Sequence, residues 1–226
     1  MKKTLVAEVM TTPVVTAGEA MPFRDLAALL YAKDIGAVPV VAMDGQVLGV
    51  VSGFDLTAKA AGMATSTGLR LESRSRRRER RRALARSAGE LMTTPAVTVA
   101  PEATIEQAAR TMRCHQVGRL PVTFRLTGRL AGIVTQSDLL RVYLRPGEEI
   151  RAEIEARVLP RIPDVDPRRL AVAVRDGVVS ISGRVEPRSA VSGLVRATLE
   201  VEGVIGVDQA IAFDVDDRYP IIPAGF

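Results

Sequence analysis

An internal repeat constrains the fold of this chain more than any other feature of its sequence. The segment "GVVSGFDL" at residues 49–56 returns as "GIVTQSDL" at residues 132–139. The match extends toward the N-terminus, where "EVMTTPVVT" at 8–16 pairs with "ELMTTPAVT" at 90–98, and "IGAVPVV" at 35–41 pairs with "VGRLPVT" at 117–123. Because a repeated unit buries its apolar face against its neighbour, the sequence predicts two similar units packed together.

Each copy carries the same secondary-structure pattern. Apolar residues at helical spacing mark one helix face, at Phe23, Leu26, Leu29 and Leu30 in the first copy and at Ile105, Ala108, Ala109 and Met112 in the second. Two short apolar runs follow, separated by the turn dipeptide Asp44-Gly45 or Thr127-Gly128. Each copy is therefore predicted to fold as helix, strand, turn, strand, helix. Since so small a sheet cannot bury itself, the copies should pack around a pseudo-twofold axis.

The tandem resembles a CBS-domain pair, also called a Bateman module, over residues 5–145. The resemblance rests on Met-Thr-Thr-Pro at 10–13 and 92–95, on Gly-x-x-Pro-Val at 36–40 and 118–122, and on the endings Ser52-x-x-Asp55 and Thr135-x-x-Asp138. It implies an α/β (α+β) fold with one repeat at 5–62, a second at 88–145 and a linker at 63–87. It also implies a disk-like homodimer and clefts that bind adenine nucleotides or related adenosyl ligands.

The two repeated endings suit nucleotide binding for a physical reason. A hydroxyl residue at the end of a strand, Ser52 or Thr135, places its hydroxyl and backbone N–H groups where a helix begins and where phosphate is favoured. Three residues later, the carboxylate of Asp55 or Asp138 can accept hydrogen bonds from both hydroxyls of a ribose. The same spacing also forms a helix-capping box, so a purely structural role stays open. Finding the pattern in both repeats favours the ligand.

The resemblance extends the predicted site beyond these motifs. It implies that adenine lies against the strands near Val15-Thr16, Ala37-Val38, Val97-Thr98 and Arg119-Leu120. The adenosyl site predicted from motifs and resemblance together contains Val15, Thr16, Ala37, Val38, Ser52, Asp55, Val97, Thr98, Arg119, Leu120, Thr135 and Asp138. The sequence gives no reason to rank Asp55 against Asp138, and one cleft of such a pair is often degenerate.

An arginine-rich segment carries the positive charge of the chain. The net charge is +5, and residues 74–86 contribute eight arginines and one glutamate, so the rest of the chain is slightly acidic. The segment is predicted to be a solvated connector, either helical or disordered. An anion-binding role is the alternative, for a nucleotide's phosphates, an anionic membrane or nucleic acid, through Arg76, Arg77, Arg78, Arg80, Arg81 and Arg82. Nucleic acid is the least favoured of these, because no aromatic residue interleaves with the arginines.

A second domain is predicted after Pro146-Gly147. Ile150, Ile154 and Val158 mark a helix face, and the segment around Asp176-Gly177 alternates as a two-strand hairpin with a tight turn. A further helix stripe comprises Val191, Leu194, Val195, Thr198 and Leu199, and a final strand follows Gly203. This αββαβ order resembles a BON domain over 147–216, with a tail at 217–226. The resemblance implies binding to a phospholipid membrane, a hydrophobic ligand or a protein, and no catalytic residues.

The composition argues against several other classes of protein. Cys114 is the single cysteine and His115 the single histidine, so neither an internal disulfide nor a Cys/His metal site is predicted. No apolar stretch is long enough for a signal peptide or a membrane span, which predicts a cytoplasmic protein. The aspartates on turns and at a strand end of the C-terminal part lack the partners that phosphoryl transfer or metal hydrolysis would need, and solvation explains them; they are Asp164, Asp166, Asp214, Asp216 and Asp217. No enzyme and no required cofactor is predicted.

The predicted function is therefore a cytoplasmic regulator, in which the CBS pair senses AMP, ADP, ATP or a similar ligand and the BON domain transmits or localises the result. One alternative is an adaptor that holds an anionic membrane or nucleic acid through the arginine segment and the BON domain, with the CBS pair as a dimerisation scaffold. A third possibility is a structural pair that binds no small ligand.

Overall fold

Two units make up the protein in a computed structural model, which describes residues 3–62 and 85–217. The first unit is Thr4–Leu139 and the second begins at Leu140. The first repeat supplies α1 (Val6–Val9), β1 (Ala17–Gly18), α2 (Phe23–Ala32), β2 (Ala37–Val41), β3 (Val47–Ser52) and α3 (Gly53–Gly62). The second supplies α4 (Ala88–Leu91), α5 (Ile105–His115), β4 (Arg119–Thr123), β5 (Leu130–Thr135) and α6 (Gln136–Leu140). The predicted mixed helix and strand fold is confirmed.

The two repeats have matching registers. The β2–β3 hairpin pairs Ala37 with Ser52, and the β4–β5 hairpin pairs Arg119 with Thr135. A short segment before each hairpin runs parallel to its first strand, through β1 in the first repeat and through Val99 in the second. Glycine at each turn takes a positive φ, +86° at Gly45 and +65° at Gly128. The helix, strand, turn, strand, helix pattern thus forms in both copies.

The leading segment of each repeat, which comes before its first strand, packs on the other repeat. Thr11 pairs with Ile133 of β5, and Thr93 pairs with Val50 of β3. The core of the first repeat consists of Ala17, Leu26, Leu30, Val38, Val40 and Val51 together with Ala85, Ala88 and Leu91 from the far side of the linker. The chain therefore exchanges its leading segments between the two repeats, and the core of the first repeat is incomplete without residues from the second half.

Two glycines make this exchange possible. A Cβ on Gly132 would lie 2.5 Å from Sδ of Met10, and a Cβ on Gly49 would lie 2.7 Å from Sδ of Met92 and 2.8 Å from the carbonyl oxygen of Thr93. At Gly49 the close atoms include backbone, so a side chain there would displace the exchanged segment, whereas at Gly132 the close atoms all belong to the side chain of Met10. The Gly of each "Gly-x-Val" run is a packing requirement between repeats.

Replacing Gly49 by alanine is expected to lower the free energy of unfolding by about 1–3 kcal/mol, because the added methyl group meets backbone that cannot move away. Gly18, in β1, is the matched control: a Cβ there would meet no atom within 4 Å, so Gly18→Ala should change stability by less than about 0.5 kcal/mol. Urea unfolding monitored by circular dichroism measures both values. Equal effects of the two substitutions would contradict the close approach at Gly49.

The second unit is an αββαβ arrangement on a three-stranded sheet. It begins with a 3₁₀ turn (Arg141–Leu144) and α7 (Gly147–Glu153), which continues through a π-helical turn (Ile154–Val158) and a 3₁₀ turn (Leu159–Arg161). A 3₁₀ turn (Pro167–Arg169), β6 (Leu170–Arg175), β7 (Val178–Pro187), α8 (Arg188–Leu199) and β8 (Gly206–Val215) follow. β7 is the central strand, antiparallel to β6 and parallel to β8. α7, the π-helical turn and α8 share one core with β6 and β7.

Most of the apolar pattern predicted for this unit is buried. Ile150, Ile154 and Val158 are at most 2% exposed. Asp176 and Gly177 both have positive φ, as a two-residue hairpin turn requires. The prediction for α8 was wrong at Leu199, which is 49% exposed near the end of the helix, whereas Ala190 in its first turn is buried. The buried face of α8 therefore runs through Ala190, Leu194 and Thr198 and leaves Leu199 outside it.

Candidate ligand-binding site

The Ser52-x-x-Asp55 motif forms a tight local network where β3 passes into α3. The N–H and the hydroxyl of Ser52 both donate to Oδ2 of Asp55, at 2.9 and 2.7 Å. The N–H of Asp55 donates weakly to the hydroxyl of Ser52 at 3.4 Å. The motif therefore satisfies backbone donors at the start of α3, as a capping box does.

The motif of the second repeat repeats this geometry. The N–H and the hydroxyl of Thr135 donate to Oδ2 of Asp138 at 2.9 and 2.7 Å, and the N–H of Asp138 lies 3.4 Å from the hydroxyl. The two motifs differ in burial, since Asp55 is 4% exposed and Asp138 is half-buried. The capping role weighed from the sequence is thus present in both repeats. The hydrogen bonds from Ser52 and Thr135 use Oδ2 of each aspartate.

Other residues of the predicted adenosyl site lie at the ends of the strands. Ala37 is opposite Ser52 and Arg119 is opposite Thr135. Val38 and Leu120 are fully buried, so only their backbones could face a ligand. The segments before the parallel strands are more open: Val15, Thr16 and Val97 are half-buried and Thr98 is exposed.

Arg119 crosses from the second repeat to the first. A Cβ on Gly36 would lie 2.7 Å from one terminal nitrogen of Arg119 and 3.3 Å from its Cζ, so the guanidinium lies directly against Gly36. The carbonyl of Gly36 accepts the N–H of Gly53, the first residue of α3, at 2.9 Å. The positive charge of Arg119 is therefore close to the Ser52–Asp55 motif. The guanidinium of Arg119 makes no hydrogen bond or ion pair with any residue that the structure describes.

Within the described residues, the guanidinium of Arg119 has no counterpart at the second repeat. In the first repeat, the position equivalent to Arg119 is occupied by Ala37, whose methyl group is too short to reach the second repeat. Gly118, the counterpart of Gly36, has only the side-chain amide of Gln136 near it, with Oε1 3.7 Å from an ideal Cβ. The sequence predicted Arg119 as part of the site, but it did not predict that the Arg119 side chain reaches the first repeat. The exchange of alanine for arginine between otherwise similar repeats was the available signal.

The acidic residues at the end of β8 form ion pairs. Arg169 and Arg184 donate to the two oxygens of Asp214 at 3.1 and 2.8 Å. The hydrogen bond from Arg184, and then that from Arg169, lowers the pKa of Asp214 below its usual value. Arg188 pairs similarly with Asp216 at 2.8 Å. These contacts join β8 to the rest of the second unit, so solvation alone does not account for these aspartates.

Three other predictions concern the arginine-rich segment, metal binding and membrane-spanning helices. The arginines proposed for anion binding, Arg76, Arg77, Arg78, Arg80, Arg81 and Arg82, lie outside the described residues. In residues 3–62 and 85–217, no three His, Cys, Asp or Glu side chains come together as metal ligands. Within those same ranges, no helix has the length and apolarity needed to cross a bilayer.

Comparison with known proteins identifies both parts of the chain. The CBS-domain family model matches residues 6–62 and 88–145, and the BON-domain model matches 147–214. A CBS domain-containing protein of Dictyostelium discoideum is 30% identical over 66% of this chain and 97% of its own length. A homoserine O-acetyltransferase of Methanohalobium evestigatum is 27% identical over 62% of this chain, but the match spans only 24% of that enzyme.

Among solved structures, CBSX2 of Arabidopsis thaliana in complex with AMP is similar to this chain, with a TM-score of 0.53 and 26% identity. The similarity covers 62% of this chain and 96% of CBSX2. The acetoin utilization protein AcuB of Vibrio cholerae is 28% identical, with a TM-score of 0.50, over 64% of this chain and 94% of its own.

Proposed function

The chain belongs to the CBS-domain family, with two CBS domains followed by a BON domain, and we propose that its CBS pair binds an adenine nucleotide in the cleft of the first repeat. The observation that carries this proposal is the guanidinium of Arg119 against Gly36, beside the Ser52–Asp55 motif. Arginine suits a phosphate and the carboxylate suits a ribose. The AMP complex of the similar protein CBSX2 supports the same ligand class.

The two clefts differ in charge and burial, which favours the first. A 5′-phosphate gains a charge-assisted contact with Arg119 there, whereas the second cleft has Ala37 at the equivalent position. Asp55 is also the more buried carboxylate, and hydrogen bonds to a buried acceptor are stronger because the local dielectric constant is lower. A ligand with neither phosphate nor carboxylate, such as 5′-methylthioadenosine, gains no charge-assisted contact from Arg119.

The protein acts in this proposal as a non-catalytic regulator. The CBS pair, which forms a homodimer, changes state on binding nucleotide, and the BON domain passes that change to a protein, membrane or hydrophobic ligand. We further propose the boundaries 5–62, 88–145 and 147–216 for the three domains, a linker at 63–87 and a C-terminal tail at 217–226. Sedimentation with and without nucleotide tests the assembly.

Isothermal calorimetry with AMP, ADP, ATP and S-adenosylmethionine tests the binding proposal directly. The chain has no tryptophan, so heat is a better signal than intrinsic fluorescence. A melting experiment provides an independent check, because ligand at about 100 times its dissociation constant adds about 2.7 kcal/mol of stability. Flat titrations with all four compounds, and no rise in melting temperature, would overturn the proposal. Steeply salt-dependent binding to anionic vesicles or nucleic acid would then favour an adaptor.

Replacing Arg119 by glutamine is expected to weaken AMP binding by about 10- to 100-fold, because a hydrogen bond to a charged group contributes about 1.5–3 kcal/mol. The affinity for 5′-methylthioadenosine, which lacks the phosphate, should change by less than about twofold. Arg129→Gln is the matched control. Arg129 also reaches the first repeat, with Nε 3.5 Å from an ideal Cβ of Gly45, but at the turn of the hairpin. Equal losses in both variants would show a general charge effect.

A further inference from the structure

A separate cleft opens in the second repeat, between α5 and the turn that follows β4. Its volume is about 650 Å³, which is within the usual range for a small-molecule site. It lies beside Thr123 at the far end of β4 from Arg119, and four residues of strand span about 13 Å. Thr98 of the predicted adenosyl site also lines this cleft. Arg119, however, pairs with Thr135 at the other end of the hairpin, so the cleft is separate from the first-repeat nucleotide site proposed above.

Comparison of the two repeats explains why the cleft is open. Ala103 and Thr111 line it, and the first repeat has Met21 and Leu29 at the equivalent positions. Those two longer side chains pack against the core of the first repeat. The shorter side chains of the second repeat leave the corresponding space empty. The cleft is thus a departure from the internal symmetry and not a feature that the fold requires.

The cleft is lined by positive charge. Arg110 and Arg125 both border it, and no aspartate or glutamate does. The first repeat has Ala28 and Met43 at these positions. Neither arginine makes a hydrogen bond or ion pair with any residue in the described part of the chain. Two unpaired guanidinium groups at one cleft favour an anion, which each can bind in a bidentate manner.

The remaining lining gives the ligand a second property. Val99, Ala100, Ala103 and the half-exposed Phe124 supply the apolar part of the lining. Uncharged polar groups line the rest of the cleft, from Thr98, Gln107, Thr111 and Thr123. The volume is larger than an inorganic ion needs. We propose that this cleft binds a small organic anion, with a phosphate or carboxylate group on Arg110 and Arg125 and an apolar, preferably planar, body against the alanines and Phe124.

An NMR titration of the full chain tests this site with four probes. Phenyl phosphate and benzoate carry the anionic group and the ring, inorganic phosphate lacks the ring, and benzyl alcohol lacks the charge. We expect phenyl phosphate or benzoate to bind at least about tenfold more tightly than either incomplete probe, because each Arg–anion contact is worth roughly 1.5–3 kcal/mol. Amide shifts should concentrate at residues 98–100 and 123–128. Whichever ring-bearing anion binds more tightly identifies the headgroup.

Two double variants decide whether the cleft is responsible. Ala103→Met with Thr111→Leu introduces the residues of the first repeat and should reduce binding of the preferred probe at least tenfold while leaving AMP binding unchanged. Arg110→Gln with Arg125→Gln should have a similar effect. Arg113→Gln with Arg129→Gln removes the same charge outside the cleft and should change the affinity by less than about twofold. Full probe affinity in the filled variant, or an equal loss in the control, would overturn this site without affecting the nucleotide proposal.

Discussion

Replacing Asp55 by asparagine is expected to lower the affinity of the CBS pair for AMP by about 100-fold. The carboxylate is proposed to accept both ribose hydroxyls, and charge-assisted hydrogen bonds contribute about 1.5–3 kcal/mol each. Asparagine keeps one side-chain oxygen to accept the N–H and hydroxyl of Ser52, which now bond to Oδ2 at 2.9 and 2.7 Å. The cap at the start of α3 therefore survives while the charge is lost. Calorimetry measures the affinity.

The second repeat provides the control for this substitution. Asp138→Asn makes the same change in a motif of the same geometry, but in the cleft where Ala37 stands at the position equivalent to Arg119. Its effect on AMP affinity should be less than about twofold. If only Asp138→Asn lost a large part of the affinity for AMP, the ligand would be assigned to the second cleft, and the proposed binding of an adenosyl ligand would still hold. If neither variant loses affinity, both motifs act only as helix caps.

Thermal melting separates the capping role from the ligand role. Alanine at position 55 removes the acceptor of both Ser52 hydrogen bonds. Asp55→Ala should therefore lower the free energy of unfolding by about 1–2 kcal/mol, and with it the melting temperature, even without ligand. Asp55→Asn should melt close to the wild type without ligand but lose most of the rise that AMP produces. A ligand-dependent rise that is equal in the wild type and Asp55→Asn would contradict a role for Asp55 in binding.

Local sequence patterns were sufficient to predict the elements of this fold. The stripe of Leu26 and Leu30 is buried as expected, and so is Met112 in the second repeat. The dipeptide Asp176-Gly177 forms the predicted hairpin turn, because glycine and aspartate tolerate positive φ. Such features depend on neighbours along the chain, so periodicity and turn composition report them directly.

The exchange of leading segments could not be predicted in this way. Ala88 and Leu91 are visibly apolar, yet nothing in their spacing says that they complete the core of the first repeat rather than their own. The partner of a segment is decided by packing over long sequence separation. Gly49 and Gly132 carried a signal, since glycine inside a strand often marks close approach of another backbone. The same limit applies to Arg119, whose backbone belongs to one repeat and whose guanidinium lies against the other.

Truncating Leu91 is expected to destabilise the first unit by about 2–5 kcal/mol, as much as the truncation of a central core residue, because Leu91 is fully buried and alanine leaves a cavity. The melting temperature of the first unit should fall by roughly 10 °C. Differential scanning calorimetry measures the change. Leu126→Ala is the control, because Leu126 is fully exposed at the turn of the second hairpin and should contribute less than about 0.5 kcal/mol.

A double-mutant cycle then tests which core Leu91 completes. Leu91 and Leu26 belong to one buried cluster, so Leu91→Ala and Leu26→Ala should be non-additive, with a coupling of about 0.5–3 kcal/mol. Met112 is buried in the second repeat, and Leu91→Ala with Met112→Ala should be additive to within about 0.5 kcal/mol. Stronger coupling of Leu91 to Met112 than to Leu26 would contradict the exchange. Coupling to Leu26 makes the core of the first repeat depend on a residue from the second half, which would let a nucleotide in the first cleft affect both halves of the pair.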